Sequence, residues 1–347
     1  MVSMVSHLFA FPTFAELISF IEPDTLGDTA VIFGGAGYIG RFLADYLVDK
    51  QGFSKVYCCD IQTFESPKIE IQSVFVDVRQ TVKLDFLLEK PTWIFNLAAI
   101  HREPGHQKQE YFETNIAGAN NVNAFAEAAN CDNIFFTSSI AVYGPTTRPM
   151  NESMLTMPNS PYGISKLTAE YIHQNWLHAK SERRLVVVRP AVIYGPNDPG
   201  NVYRLIKALR NKFFFMPNPN GAQKSYGYIY GLLESIGFMM NKNESFLVYN
   251  YAQPETLRVE EMIQRLKIAL NFKTRIIMLP TNFIILGLRL LKIFGFSHPD
   301  YHPVRVKKLT TNTCVEPQNL MTLGFQERFD LQTSIKHWLE IAPKDFE

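Results

Sequence analysis

TAVIFGGAGYIG, residues 29–40, sets a short apolar run directly before three glycines, Gly34, Gly37 and Gly40, spaced three apart. A turn of this kind lets the backbone come close to a pyrophosphate, and the free N–H groups of the helix that follows attract its charge. A tight strand-to-helix connection without a ligand also uses glycines, so the surroundings have to decide between the two. About twenty residues further on, at the spacing expected of a dinucleotide-binding unit, Asp60 closes the next apolar run. An acid there accepts hydrogen bonds from ribose hydroxyls and repels a 2′-phosphate, which favours NAD over NADP. The plain alternative is a surface aspartate at a strand end.

Outward from this turn, short β-branched runs alternate with longer amphipathic stretches. Strands are expected from Ala30 to Phe33, Lys55 to Asp60, Ile71 to Val76, Trp93 to Leu97, Asn133 to Ser138 and Leu185 to Arg189. Helices are expected from Tyr38 to Asp49, Glu110 to Asn130 and Pro161 to Lys180. This order predicts an α/β protein built on a Rossmann-type doubly wound parallel sheet, its strands apolar because both faces are covered. Residues 29–195 would form the dinucleotide-binding domain with the catalytic residues. Proline and glycine clusters at 196–200 and 217–221 then interrupt the alternation, and residues 196–347 read as a smaller C-terminal α/β substrate lobe, with segments able to return to the first domain. Residues 1–28 precede the pattern as an N-terminal extension with an amphipathic helix from Phe14 to Ile21, and no function is assigned to it.

Composition narrows the partners. Lys and Arg number 34 against 33 acidic residues in 347, so nucleic acid is not expected as a partner. Cys58, Cys59, Cys131 and Cys314 have neither metal-ligand spacing nor disulfide density; they read as core residues of a cytoplasmic protein, and no metal site is expected. The N-terminus lacks the pattern of a secretory signal. The most apolar stretch, Phe283 to Phe296, is broken by Arg289 and Lys292 and is shorter than the roughly 20 residues that cross a bilayer. It reads either as a buried helix or as an interfacial one making peripheral contact with the inner face of a membrane.

In SPYGISKLTAE, residues 160–170, Tyr162 and Lys166 stand four apart and share a helix face. Spacing alone says little, because Tyr46 with Lys50 and Tyr203 with Lys207 repeat it. What distinguishes Tyr162 is the helix opening at Ser160-Pro161 and the serine-rich strand end TSSIAVYG, residues 137–144, upstream. Strand ends of a parallel sheet face the ligand crevice, so Ser139 could hydrogen-bond a reacting hydroxyl while the Lys166 ammonium and a positive nicotinamide lower the tyrosine pKa. The bland readings are a strand-end hydroxyl and a core aromatic with a wet tip.

The ordered set GGAGYIG, Asp60, Asp77-Val78, NLAAIH, Asn115, TSSIAVYG, YGISK and RPAVIYGP resembles the extended short-chain dehydrogenase/reductase family, the NAD-dependent sugar epimerases and dehydratases, over residues 29–340. The resemblance implies that Gly34, Gly37, Tyr38, Ile39 and Gly40 hold the pyrophosphate of NAD, Asp60 its adenosine ribose, and Asp77 and Val78 the adenine. Leu97, Ala98, Ala99 and His101 would line the nicotinamide side, Asn115 would support the central helix, and Ala191 would sit near the carboxamide. Ser139, Tyr162 and Lys166 would be catalytic, with Tyr162 and Lys166 also touching cofactor and Ser139 touching substrate. His101 has a second reading as a surface histidine after a strand.

Dehydratases of this family carry an Asp-Glu pair after the catalytic serine or threonine, and here Ile140 and Ala141 stand there. A 4-epimerase needs no such acid, and since its cycle has no net redox change it keeps its NAD. A ketosugar reductase is the alternative enzyme, and a silent NAD-binding scaffold the alternative outside catalysis. GNVYRLIKAL, QKSYGYIY, VYNYAQPE and PVRVKKL with TLGF are similar to bacterial 4-epimerases acting on N-acetylglucosamine carried by undecaprenyl diphosphate, in surface polysaccharide synthesis. By motif position Asn201, Lys224 and Arg305 would contact the substrate diphosphate, whether nucleotide- or lipid-linked; a solvated basic face is the other reading. Val192 replaces an asparagine common in nucleotide-sugar epimerases. The long helices around Glu110–Asn130 and Pro161–Lys180 resemble those that pair in the family's homodimers.

Overall fold

The structure, a computed structural model, describes residues 28–102, 105–198, 200–217, 222–293 and 310–347. The N-terminal extension expected to carry a helix from Phe14 to Ile21 lies outside the described residues but for Asp28, and Arg305 and residues 294–296 of the apolar stretch also lie outside them.

The first half alternates strand and helix: β1 Thr29–Phe33, α1 Tyr38–Gln51, β2 Lys55–Asp60, β3 Ile71–Phe75, β4 Trp93–Asn96, α2 Lys108–Ala128, β5 Asn133–Thr137, α3 Pro161–His178, β6 Arg184–Pro190 and β7 Val192–Tyr194. There follow α4 Asn201–Leu209, β8 Phe213–Pro217, β9 Gln223–Lys224, β10 Tyr226–Tyr228, α5 Ile229–Met240, β11 Phe246–Tyr251, β12 Leu257–Arg258, α6 Val259–Ala269, β13 Arg275–Leu279, α7 Thr281–Ile293, α8 Gln318–Thr322 and α9 Leu331–Ile341. Seven parallel strands form one sheet in the order β11-β6-β5-β4-β1-β2-β3. Chain order reverses between β1 and β4, and in open α/β sheets that switch point opens a ligand crevice beyond the strand carboxyl ends.

Period-two alternation explains why the central strands are apolar, whereas the edge strand β3 carries Gln72 and Ser73 and leaves Phe75 exposed. In β1, Ala30 and Ile32 point into a core with Leu43 and Leu47 of α1 and Leu232 and Ile236 of α5. Val31 and Phe33 point the other way, against Val122 and Phe125 of α2. Both faces are dry, and each side chain of this kind contributes about 1.5–3 kcal/mol relative to exposure. The expected strands from Ile71, Trp93 and Asn133 each stop one residue early, at Phe75, Asn96 and Thr137; the next residues, Val76, Leu97 and Ser138, each still donate a backbone N–H to the neighbouring strand and line the crevice. β6 is longer than expected, its Arg184 paired with Asn133 of β5 and its Pro190 with Tyr251 of β11. α3 opens as its sequence suggests: the Ser160 hydroxyl accepts from Gly163 N at 3.1 Å, and Pro161 occupies the first turn.

The seventh strand, β11, comes from the VYNYAQPE region and pairs with β6 from Phe246↔Leu185 to Tyr251↔Pro190. The remaining strands form three two-stranded sheets, β7 with β10, β9 with β12, and β8 with β13, beside the carboxyl end of the large sheet.

Candidate active site

One cleft of about 1830 Å³ runs across the strand carboxyl ends, larger than a typical single-ligand pocket. At one end stands the glycine turn. Gly34 has φ +81°, and a Cβ there would lie 2.7 Å from Ala98 N; at Gly40 a Cβ would run into the Gly34 carbonyl. These contacts let β1, the β4 loop and α1 close tightly while the turn stays bare. No side chain caps the N-terminus of α1 and no acid sits in its first turn, so its N–H groups remain for an anion. The Asp60 carboxylate accepts from Ala36 N and Gln62 N at 3.1 Å each, which fixes it at the rim of the turn.

Two buried polar atoms in this cleft, Tyr38 Oη and Asp198 Oδ2, have no hydrogen-bond partner among the described residues. Burial pushes the Asp198 carboxyl up to about 6. Buried polar groups are almost always satisfied, so a polar ligand is called for here. Bare N–H groups, a glycine cradle, a strand-end acid and orphaned polar atoms together fit a dinucleotide.

Leu97, Ala98, Ala99, His101, Val78 and Ala191 line the same cleft, as do Gly37 and Ile39. Asp77 reaches it too, but its carboxylate is taken by Arg79, with Nη2 to Oδ2 at 2.6 Å, and that guanidinium holds its pKa low. Asn115 does not line the cleft. It is buried behind the wall, where Oδ1 accepts from Ile100 N at 2.9 Å and Nδ2 donates to Ser165 Oγ at 2.8 Å. It pins the β4 loop to α3, which makes it a positioning residue and not a lining one.

Ser139 caps a short 3₁₀ turn, Ile140–Tyr143, its Oγ accepting from Ala141 N at 3.1 Å. Tyr162 projects from the first turn of α3 and is hydrogen-bonded to Ser139. Burial pushes its phenol up to about 12, and the Ser139 bond opposes that rise. One turn on, Lys166 Nζ donates to Thr137 O at 2.7 Å and lies 4.8 Å over the Phe136 ring. Burial lowers its pKa to about 7, against the pull of Glu170. Of the three Tyr–Lys pairs, this one faces the serine; Tyr46 Oη accepts from Gln51, and Lys207 lies over its own Tyr203 ring.

Behind the lysine runs a buried polar chain. Ser138 Oγ donates to Glu170; Arg189 Nε and Nη2 donate to the two Glu170 oxygens at 2.9 and 2.6 Å. Arg189 Nη1 reaches Tyr143 Oη at 2.9 Å, and Tyr143 in turn donates to Asn250 Oδ1 at 2.9 Å on β11. The sequence analysis missed this chain, though an arginine inside the otherwise apolar LVVVRP was its signal.

Asn201 opens α4 at the cleft, and Lys224 lines it from β9, its Nζ donating to Thr311 O at 3.0 Å. Ile140, Ala141 and Val192 line it as well, so the dehydratase acids have no counterpart at those positions. The far end is apolar, with Phe213, Phe215, Leu279, Phe283 and Ile284; the sequence singled out only the stretch from Phe283, as a buried or interfacial helix.

Residues 30–250 match the NAD dependent epimerase/dehydratase family. The chain belongs to this family, and NAD is the cofactor that the family and the glycine turn share. It is 30% identical to an N-acetyl-alpha-D-glucosaminyl-diphospho-ditrans,octacis-undecaprenol 4-epimerase of Escherichia coli O157:H7, over 91% of this chain and 95% of that protein. A UDP-glucose 4-epimerase of Mycoplasma genitalium is also 30% identical, over 52% of this chain and 59% of that one. In fold it is similar to the UDP-glucose 4-epimerase of Thermotoga maritima with UDP-glucose, at TM-score 0.74 and 18% identity over 92% of this chain and all of that one. The UDP-glucuronic acid 4-epimerase of Bacillus cereus, solved with UDP-glucuronic acid and NAD, gives 0.71 and 20% over 91% and 99%.

Proposed function

We propose that this protein is an NAD-dependent 4-epimerase that interconverts N-acetylglucosamine and N-acetylgalactosamine on undecaprenyl diphosphate, in the synthesis of a bacterial surface polysaccharide such as O-antigen. The observation that carries the reading is Ser139, Tyr162 and Lys166 meeting in one cleft with the bare glycine turn. The Escherichia coli relative, matched along nearly its whole length, favours the lipid anchor. Val192 at the cleft favours it too, since the asparagine familiar from nucleotide-sugar enzymes is replaced by an apolar side chain.

The chain's own residues divide the work. Ser139 Oγ, fixed by Ala141 N, holds the sugar 4-hydroxyl against Tyr162 Oη, which takes the hydroxyl proton and later returns one to the same oxygen. Lys166, held by Thr137 O, supplies in its protonated form positive charge that favours the phenolate. When bound, NAD supplies a reversible hydride acceptor and a positive ring beside the tyrosine, so that carbon 4 passes through a ketone. Lys224 and Asn201, which line the cleft, are assigned to the diphosphate, and Arg305, outside the described residues, is assigned to it by motif position alone. Ile140 and Ala141 give no proton to a 6-hydroxyl, which keeps the reaction from dehydration.

We place the enzyme in the cytoplasm at the inner membrane face. Among the described residues no helix is long and apolar enough to cross a membrane. Phe283 and Leu286 of α7 are 68% and 53% exposed, which suits peripheral contact. A homodimer through α2 and α3 is part of the same reading, since Phe112, Ile164 and Tyr171 stand exposed on that helix pair.

The test is to incubate purified protein with N-acetylglucosamine linked to undecaprenyl diphosphate or to UDP and follow the carbon 4 configuration by NMR. Conversion of the lipid-linked sugar, with no net change in NADH, is expected. Net consumption of NADPH would establish the reductase instead.

A further inference from the structure

The cleft, at about 1830 Å³, is larger than a typical single-ligand pocket, and its far end is built differently. There the lining passes from polar side chains to Phe213 and Phe215 on β8, Leu279 on β13, and Phe283, Ile284 and Gly287 on α7. β8 and β13 run parallel with Phe213↔Arg275, Phe215↔Ile277 and Pro217↔Leu279 in register. Alternation therefore puts Phe213, Phe215 and Leu279 on one face and Phe214 and Met216 on the other, and Phe214 and Met216 line the cleft as well. Phe213 and Phe215 are 43% and 57% exposed, an unusual state for neighbouring phenylalanines in a water-facing wall.

Gly287 is the second observation. A helix interior disfavours glycine, and α7 carries one at the cleft wall, four residues after Phe283 and so on the same helix face. A Cβ there would meet nothing within 4 Å, so no close packing demands the glycine. Its missing side chain leaves the trough open.

Charge gives the third. Residues 200–217 and 270–293, which build this end, hold eight Lys or Arg and no Asp or Glu, while the whole chain is at +1. An apolar trough in a basic frame suits a hydrocarbon that leaves an anionic diphosphate at one end and an anionic bilayer at the other.

We propose that this trough holds the first isoprene units of the polyprenyl chain of the substrate, carrying it from the diphosphate near Lys224 out between β8 and α7. The inference rests on the reading of the protein as a 4-epimerase of a diphosphate-linked sugar, and it assigns the lipid a site within the enzyme beyond mere proximity to a membrane.

The experiment compares kcat/KM for N-acetylglucosamine diphosphate carried on undecaprenol and on a two-isoprene alcohol, with wild type and Gly287→Leu, in the same detergent. Wild type is expected to prefer the long chain by at least about tenfold, from the added apolar burial. Gly287→Leu, which fills the trough, is expected to lose most of that preference. A preference unchanged in the variant overturns the trough and assigns chain length to the bilayer or micelle alone. A wild type that converts both substrates equally well overturns the trough and leaves the epimerase reading standing, whereas a wild type that converts neither overturns both. Inhibition by polyprenyl phosphates of increasing length needs no variant: affinity rising with the first few isoprene units and then levelling supports a trough of finite length, and affinity indifferent to length contradicts it.

Discussion

Lys166 is 2% exposed, yet it keeps an ammonium site between a carbonyl and an aromatic ring. Its pKa falls from 10.5 to about 7 because burial disfavours the charge. Between those two values the unfolded chain holds the proton and the folded chain does not, so stability rises with pH across that window and the burial penalty is full below about 7. Each unit corresponds to about 1.4 kcal/mol. In the cofactor-free protein, urea titrations are therefore expected to give Lys166→Met a stability advantage at pH 7 that shrinks toward pH 10; an advantage independent of pH would contradict the charge account. Much of the cleft at this scale was legible in the sequence. The glycines, Asp60, Ser139, Tyr162 and Lys166 lie in motifs whose spacing shows, and the structure brings them to one cleft. The supporting role of Asn115 came from the family motif alone, since nothing in a helical asparagine itself tells whether it faces a ligand or a loop.

At the scale of elements, β6 and α3 are joined by a buried ion pair, Arg189 Nη2 to Glu170 at 2.6 Å, with both residues under 10% exposed. Removing one partner of such a pair strands the other charge, at about 3–5 kcal/mol, whereas replacing both by apolar residues costs much less. Glu170→Ala is thus expected to lower the denaturation midpoint far more than Glu170→Met combined with Arg189→Met. Equal losses would mean that packing, and not the stranded guanidinium, sets the cost. The central strands of the first half were legible because both faces are buried and their apolar runs are bounded by turns. β11 was not, because VYNYAQPE mixes aromatic, polar and proline residues, and its partner β6 lies more than fifty residues earlier. Local periodicity cannot report such a pairing.

For the whole molecule, the proposed membrane and dimer surfaces lie on different elements, α7 with β8 on one hand and α2 with α3 on the other. Flotation with vesicles is expected to recover the protein with anionic lipid and not with purely zwitterionic lipid, and to weaken with salt; equal recovery from both would remove the basic frame from the account. Light scattering is expected to give the mass of two chains, and a single-chain mass would remove the α2–α3 pairing. The central chemical claim is that a proton leaves and returns at the oxygen on carbon 4 while a hydride leaves and returns at carbon 4 itself. The direct measurement uses lipid-linked N-acetylglucosamine carrying deuterium on carbon 4, with wild type and Tyr162→Phe. The account predicts N-acetylgalactosamine that retains the deuterium on carbon 4 and no product from the variant. Deuterium lost to solvent, or full turnover without the phenol, would contradict it.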